Sequence, residues 1–184
     1  MLIEQLRNDR NVGPFIGFEC RENTLYVGIA DTVSPEDLLI IKVDSYYNAT
    51  IHNNDRPKSP DCLIIQRCGE DRYVLHIVEL RDIEGPGGFT VKEIEEKFVN
   101  CIEDFMSERF GNYFHNEAHN IDRIKLVFVS DPYGFKHDPE KRRKMRGHKI
   151  DLLLQVRIPK IFGLHLYIQH ELEYTISNCR EEAA

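Results

Sequence analysis

The stretch SPDCLIIQRCGEDRYVLHIVELRD, residues 59 to 82, contains two apolar runs on either side of a short polar turn. Apolar, β-branched runs of this length that flank turn residues are typical of a β-hairpin. The pattern predicts strands at about 61–67 and 72–81, with the turn at Gly69-Glu70-Asp71. Because the position of the turn fixes which residues face each other, this hairpin constrains the fold more than any other stretch.

The segment after the hairpin has the pattern of a helix followed by a buried strand. Thr90 and Glu93 have the spacing of a capping box, and Phe89 with Ile94 that of a hydrophobic staple. One apolar face continues at steps of three and four through residue 105, which predicts a helix over about 90–110. The run IKLVFVS, residues 124–130, is typical of a strand covered on both faces. Together with strand 72–81, these elements predict a β-α-β unit with a parallel strand pair.

The remaining elements are predicted from weaker local signals. Residues 12–30 have the pattern of a hairpin, and Ser34 followed by Pro35 is typical of the start of a helix, here extending to about Asn48. A short basic helix is predicted at about 138–146, and strands at 150–158 and 161–168. The predicted class is therefore α/β with a mixed central sheet. We expect one domain over 1–184, with an N-terminal hairpin extension at 1–33, a core at 34–130, and the basic segment with the C-terminal strands at 131–184.

Composition excludes several classes of protein. No apolar run approaches the roughly 20 residues that a membrane span needs, so no membrane partner is expected. The N-terminus lacks the basic start and apolar core of a signal peptide. The five cysteines are odd in number and show no C-x-x-C spacing, which predicts neither a disulfide framework nor a zinc site and favours a reducing cytoplasm. The net charge of −7 means that binding to nucleic acid would need a local basic patch.

Two carboxylates are predicted to face each other at one end of the hairpin. With the turn centred on residue 70, Asp61 lies opposite Glu79, and Arg81 shares the face of Glu79. Like charges opposite each other in a sheet are destabilising, and a divalent cation such as Mg²⁺, which prefers carboxylate oxygens, would relieve the repulsion. The alternative is that both acids are exposed at strand ends, with Glu79 paired to Arg81 or Arg72 in solvent.

The order Pro60-Asp61, seventeen residues, then Glu79-Leu80-Arg81 resembles the PD-(D/E)xK motif of a large nuclease superfamily. In that superfamily the motif lies on an antiparallel hairpin that is followed by a helix and a parallel strand. The resemblance covers about half of the chain and implies a restriction endonuclease-like fold and hydrolysis of phosphodiester bonds, with DNA as the expected substrate and Mg²⁺ or Mn²⁺ as the cofactor.

The resemblance also implies roles for individual residues. Asp61 and Glu79 match the metal-binding acids, and the Leu80 carbonyl matches a backbone metal ligand. Arg81 stands where the motif has lysine. Arginine keeps its proton at any accessible pH, so Arg81 cannot act as a base, although it can neutralise charge on a phosphate.

Three other residues are candidates for positions that the motif leaves open. Lys92 and Lys97, on the predicted helix that follows, are candidates for the missing amine, although lysines on a helix surface are usually solvated. Glu36 is the nearest counterpart of the glutamate that such nucleases often carry on their first helix.

The change from lysine to arginine and the acidic net charge also favour a second function, that of an inactive nuclease-fold protein acting as a binding or assembly module, for example as a homodimer.

The segment KHDPEKRRKMRGHK, residues 136–149, concentrates positive charge in an acidic chain. Its candidate phosphate-binding residues are Lys141, Arg142, Arg143, Lys144 and Arg146. A solvated helix face is the alternative.

Replacing Lys141, Arg142, Arg143 and Lys144 together by alanine should weaken DNA binding equally for all sequences. Each lost phosphate contact also reduces the number of counterions released, so log Kd should depend less steeply on log salt concentration. Fluorescence anisotropy with two unrelated duplexes over a range of salt concentrations measures both effects. An unchanged affinity would mean that the segment is only a solvated surface.

Overall fold

The computed structural model describes residues 1–52, 56–83, 85–138, 140 and 148–179. Its centre is a seven-stranded mixed sheet, of which four strands follow the order of the chain. Strand bounds are β1 Ile16–Gly17, β2 Arg21–Glu22, β3 Leu25–Ile29, β4 Leu38–Lys42, β5 Cys62–Arg67, β6 Arg72–Arg81, β7 Asn120–Ser130, β8 Arg157–Ile161, β9 Leu164–Glu171 and β10 Tyr174–Ile176. The large sheet has the order β1-β4-β5-β6-β7-β9-β8, and a small sheet has the order β10-β3-β2.

Helices cover one face of the large sheet, and the small sheet covers the other. In the described part of the chain the α-helices are α1 Leu2–Arg7, α2 Val43–Thr50, α3 Val91–Asn100, α4 Gly111–Phe114 and α5 Lys149–Leu153. The larger core joins the helices to side chains such as Leu75, Ile77 and Phe128. The smaller core joins Val27 and Ile176 of the small sheet to Val78 of β6. Because successive side chains of a strand point to opposite faces, β6 contributes to both cores, and eight of its ten residues are buried.

The hairpin and the β-α-β unit are confirmed. β5 and β6 are antiparallel with Cys62 opposite Val78, and β6 and β7 are parallel with Arg81 opposite Ser130. The connection between the parallel strands contains α3, whose first turn is capped where Thr90 Oγ1 accepts a hydrogen bond from the Glu93 backbone N–H at 3.1 Å. A π-helix, Cys101–Arg109, continues α3. The Glu93 carboxylate does not complete the capping box as predicted but pairs with Arg81.

The predicted helix at 34–48 is wrong in its first half. Ser34 and Pro35 begin only a single 3₁₀ turn, Pro35–Asp37, which is followed by β4 and then by α2. The run Leu38–Lys42 contains four buried apolar residues in succession and pairs with β5 along its whole length. A continuous apolar run suits a strand buried on both faces, so pairing in the sheet prevails over the local helix-start signal.

Two other boundaries differ from the predictions. The predicted hairpin at 12–30 is shorter, because β2 and β3 form it alone and β1 joins the large sheet beside β4. The predicted strand at 150–158 begins instead with α5, whose buried residues Ile150 and Leu153 are three apart, which is a helical spacing. The strands that follow are β8 and β9. Most of the predicted basic helix at 138–146 lies outside the described residues.

The expectation that the cysteines form no disulfides is wrong. The structure has two disulfide bonds, Cys20–Cys62 with Cα atoms 6.1 Å apart and Cys68–Cys179 with Cα atoms 5.6 Å apart. Cys101 is buried and free. The bonded cysteines are 42 and 111 residues apart in the chain, so their pairing depends on the fold rather than on a local motif. The cysteines therefore no longer favour a reducing compartment.

Among the described residues, no helix combines the length and the apolar character needed to span a bilayer.

Candidate site at the end of the central hairpin

Asp61 and Glu79 meet where β5 begins and β6 ends. Extending the observed register by one residue beyond Cys62 and Val78 places Asp61 opposite Glu79, as predicted. Asp61 Oδ2 accepts a hydrogen bond of 2.7 Å from the backbone N–H of Leu80. One oxygen of Asp61 is therefore held by the strand that carries Glu79, which fixes the Asp61 carboxylate at this end of the sheet.

Glu79 is fully buried and is paired with two cations. Its Oε1 accepts a hydrogen bond of 2.9 Å from Arg81 Nε and another of 2.7 Å from Lys97 Nζ. Arg81 also pairs with Glu93, so it bridges the end of β6 and the first turn of α3. The prediction that Glu79 could pair with Arg81 is correct, but the pair is not in solvent: the side chains of Glu79, Arg81 and Lys97 are only 1%, 22% and 16% exposed.

Lys97 brings an amine to Glu79 from the neighbouring helix. It lies on α3, one residue before the fully buried Phe98, and its Nζ reaches across to the end of β6. Lys92 does not do the same. Its side chain is 84% exposed and its nearest anionic partner is Glu96, at 3.7 Å on the same helix.

Glu22 is a third carboxylate of this cluster, and the sequence interpretation missed it. Burial raises its pKa most, and the charges of Asp61 and Arg81 are near enough to perturb that pKa as well. Asp82 in turn accepts bonds of 3.1 Å and 2.7 Å from the backbone N–H and hydroxyl of Thr24, which fastens the β2–β3 hairpin to the end of β6. No local motif marks Glu22, because it reaches the cluster from a separate sheet.

Glu36 does not reach this cluster. It is exposed on the 3₁₀ turn that precedes β4, and the neighbouring Leu38 pairs with Gln66 at the far end of β5. The prediction that Glu36 supplies a further glutamate to the site is therefore wrong. The five basic residues proposed for phosphate binding, between 141 and 146, lie outside the described residues.

Burial and mutual repulsion perturb the acids of the cluster. Burial, together with the Asp61 charge, raises the pKa of Glu79 to about 7, although Lys97 and Arg81 act in the opposite direction. Burial also raises the pKa of Asp61, and burial and then the Asp61 charge raise that of Glu22. Three acids with pKa values shifted upward in one place are characteristic of functional sites, although structural ion-pair networks produce the same shifts.

Two buried carboxylate oxygens of the cluster have no hydrogen-bond partner among the described residues. They are Glu22 Oε2 and Glu79 Oε2. An unpartnered buried oxygen is costly, and hard oxygen donors of this kind suit Mg²⁺ or Mn²⁺. In chemical type the donors therefore fit a divalent ion. In the described ranges, however, no three His, Cys, Asp or Glu side chains are already arranged to hold an ion.

Comparisons of the chain with models of protein families, with curated proteins and with solved structures gave no match.

The raised pKa of Glu79 predicts that the protein loses stability as the pH rises from about 4.5 to about 7. In this window the folded state holds a proton on Glu79 that the unfolded state, with the ordinary value of 4.5, releases. Folding is therefore favoured at the acidic end, and the advantage is lost as the pH passes the folded pKa. Chemical denaturation in EDTA should show a decline of ~1–3 kcal/mol attributable to this group.

The matched control is Glu79→Gln, which cannot titrate but keeps the shape of the side chain. Its free energy of unfolding should decline less over the same pH range. Equal pH profiles for the two proteins would mean that Glu79 is ionised in the folded state throughout the window.

Proposed function

We propose that the protein is a metal-dependent nuclease that hydrolyses phosphodiester bonds, with DNA as the substrate class. The order of the elements supports this proposal, because an antiparallel hairpin leads through a helix to a parallel strand, as in the restriction endonuclease-like fold that the motif resembles. The observation that carries the proposal is the meeting of three carboxylates, Asp61, Glu79 and Glu22, with one lysine and one arginine at the end of the hairpin.

The three acids would hold the metal through oxygens that the protein leaves open. Within the described ranges, Glu79 Oε2 and Glu22 Oε2 have no hydrogen-bond partner, and Asp61 uses Oδ2 to accept from the Leu80 backbone. The Leu80 carbonyl is a proposed fourth ligand, which only the resemblance to the motif supports. A bound Mg²⁺ or Mn²⁺ supplies charge neutralisation at the phosphate and a water molecule of lowered pKa.

The two cations have separable roles. Lys97 has a compact amine with three donors, which can hold the attacking water beside Glu79 or donate to a phosphate oxygen. Arg81 retains its proton, so its contribution is to stabilise negative charge that develops on the phosphate. Since Lys97 lies within 2.7 Å of Glu79, the arginine at position 81 no longer leaves the site without a primary amine.

A second function, that of a binding or assembly module without catalysis, is favoured by the same ion pairs. Lys97 and Arg81 both bind Glu79 Oε1, and Arg81 also pairs with Glu93, so the acids are neutralised by the protein itself. A site closed in this way needs no metal to be stable. A homodimer is proposed only for this second function.

Metal binding at the three acids predicts a specific thermal shift. Millimolar Mn²⁺ should raise the melting temperature of the wild type, because ligand that binds only the folded state stabilises it by RT ln(1 + [L]/Kd). Asp61→Asn and Glu22→Gln should show little or no shift in differential scanning fluorimetry. Glu36→Gln is the matched control and should respond as the wild type does. Equal shifts in all four proteins would place the ion elsewhere.

The nuclease proposal predicts a ranking of cleavage rates. Lys97→Met and Arg81→Ala should each lose about 10²–10³-fold, because each removes a charge that stabilises the transition state. Arg81→Lys should retain the activity or increase it, and the exposed Lys92→Met should not change it. The substrates are supercoiled DNA, single-stranded DNA and RNA in Mg²⁺ or Mn²⁺, followed by gel electrophoresis.

Glu79→Gln is the negative control of this experiment. Cleavage that survives Glu79→Gln would come from a contaminant. If neither the wild type nor Arg81→Lys cleaves any of the three substrates, the isolated chain is not a nuclease and the binding module is the function that remains.

A further inference from the structure

The Cys20–Cys62 disulfide joins the two segments that carry Glu22 and Asp61. Cys20 is two residues before Glu22, and Cys62 directly follows Asp61. One covalent bond therefore connects the small sheet to the first strand of the central hairpin immediately beside the candidate site. The other disulfide, Cys68–Cys179, lies at the opposite end of β5, so it provides an internal comparison.

We propose that the Cys20–Cys62 disulfide is a positioning element of the candidate site, which holds Glu22 against Asp61 and releases it when the disulfide is reduced. This inference rests on the proposed function, because it assigns to the disulfide the control of that same cluster. Of the three acids, Glu22 is then the one whose position in the site depends on whether the disulfide is oxidised or reduced.

The strand that carries Glu22 has little else to hold it. β2 contains only Arg21 and Glu22, and the structure pairs it with β3 alone. The ladder extends by one bond, from the Val27 N–H to the Cys20 carbonyl at 2.9 Å. The hydrogen bonds that tie this hairpin to the end of β6 run from Thr24 to Asp82, which is exposed, so solvent competes for them. A two-residue edge strand of this kind opens easily unless it is tied down.

Repulsion from Asp61 opposes the position of Glu22 in the cluster, although the charges of Arg81 and Lys97 attract it. Glu22 and Asp61 are both acidic, and a buried carboxylate beside a like charge is unfavourable. Lys97 and Arg81 bind Glu79 directly, whereas Glu22 Oε2 has no partner among the described residues. The covalent bond thus adds a direct tie between the segments of two acids that repel each other.

The chemistry of release is thiol–disulfide exchange with a dithiol. One thiolate of the dithiol attacks a sulfur and forms a mixed disulfide, and its second thiol then displaces the cysteine. Two electrons and two protons pass to the protein, so that Cys20 and Cys62 become thiols while the dithiol closes to its own disulfide. Both cysteines are fully buried, so the reductant reaches them only when the β2–β3 hairpin opens.

The second disulfide should react first. Cys68 and Cys179 are partly exposed and line an open cavity of about 580 Å³. In a time course with dithiothreitol, followed by alkylation and mass spectrometry, Cys68–Cys179 should therefore be reduced before Cys20–Cys62. The variant Cys68→Ser/Cys179→Ser contains only the bond of interest, and it is the matched control for every measurement on Cys20→Ser/Cys62→Ser.

The first arm of the test measures structure and needs no activity. Hydrogen exchange of the backbone amides in 21–29, including Val27, should be at least about tenfold faster in Cys20→Ser/Cys62→Ser than in the wild type, because the hairpin then opens locally. The control variant should exchange as the wild type does in this segment. Reducing the control variant with dithiothreitol should speed exchange, and reoxidation should restore it, which excludes misfolding as the cause. Unchanged exchange would overturn the inference.

The second arm measures cleavage in a double-mutant cycle. Removing the Cys20–Cys62 bond should lower Mn²⁺-dependent cleavage by roughly 10- to 100-fold, as is usual for groups that orient metal ligands. In a Glu22→Gln background, the same removal should cause no further loss, because the residue that the bond positions is already gone. Independent, additive losses would overturn the inference while leaving the nuclease proposal intact. If no protein cleaves, the proposed function fails, and the exchange measurement alone decides whether the bond holds the hairpin.

Discussion

The fully buried Glu79 is the point on which the architecture around the site depends. A carboxylate in this position is tolerated only with partners, because the desolvation of an unpaired charge costs several kcal/mol. Its partners are Lys97 from α3 and Arg81 from its own strand, and Arg81 also binds Glu93. The crossover helix is thereby fixed to the end of β6 by charge as well as by its apolar face.

The parts of the fold that the sequence predicts well are those with local patterns. The turn at 69–71 sets the register of β5 and β6, and that register alone places Asp61 opposite Glu79. Lys97 could have been ranked above Lys92 from the same kind of pattern, because it lies three residues after Ile94 and four before Cys101. It therefore borders the buried stripe of α3. The region around β4 was mispredicted because a helix-start signal competes there with a strand pattern.

Glu22 and both disulfides could not be found in this way. Each brings together residues far apart in the chain: 42 residues separate Cys20 from Cys62, and 111 separate Cys68 from Cys179. Such contacts follow from how the small sheet covers the large one, and no spacing along the chain encodes that arrangement. Local patterns therefore predict the part of the candidate site that lies on the β5–β6 hairpin and α3. The part on the β2–β3 hairpin depends on tertiary structure.

The small sheet has a consequence for the order in which the molecule can fold. Its central strand, β3, lies between β2 and β10, and β10 runs parallel to it with Tyr174 opposite Val27. Tyr174 also reaches His76 in the large sheet, with its hydroxyl 2.7 Å from His76 Nδ1. A chain synthesised from its N-terminus must therefore keep residues 25–29 without their parallel partner until residues 174–176 have emerged. The layer that bears Glu22 is thus completed last, after the hairpin that carries Asp61 and Glu79 has had time to form.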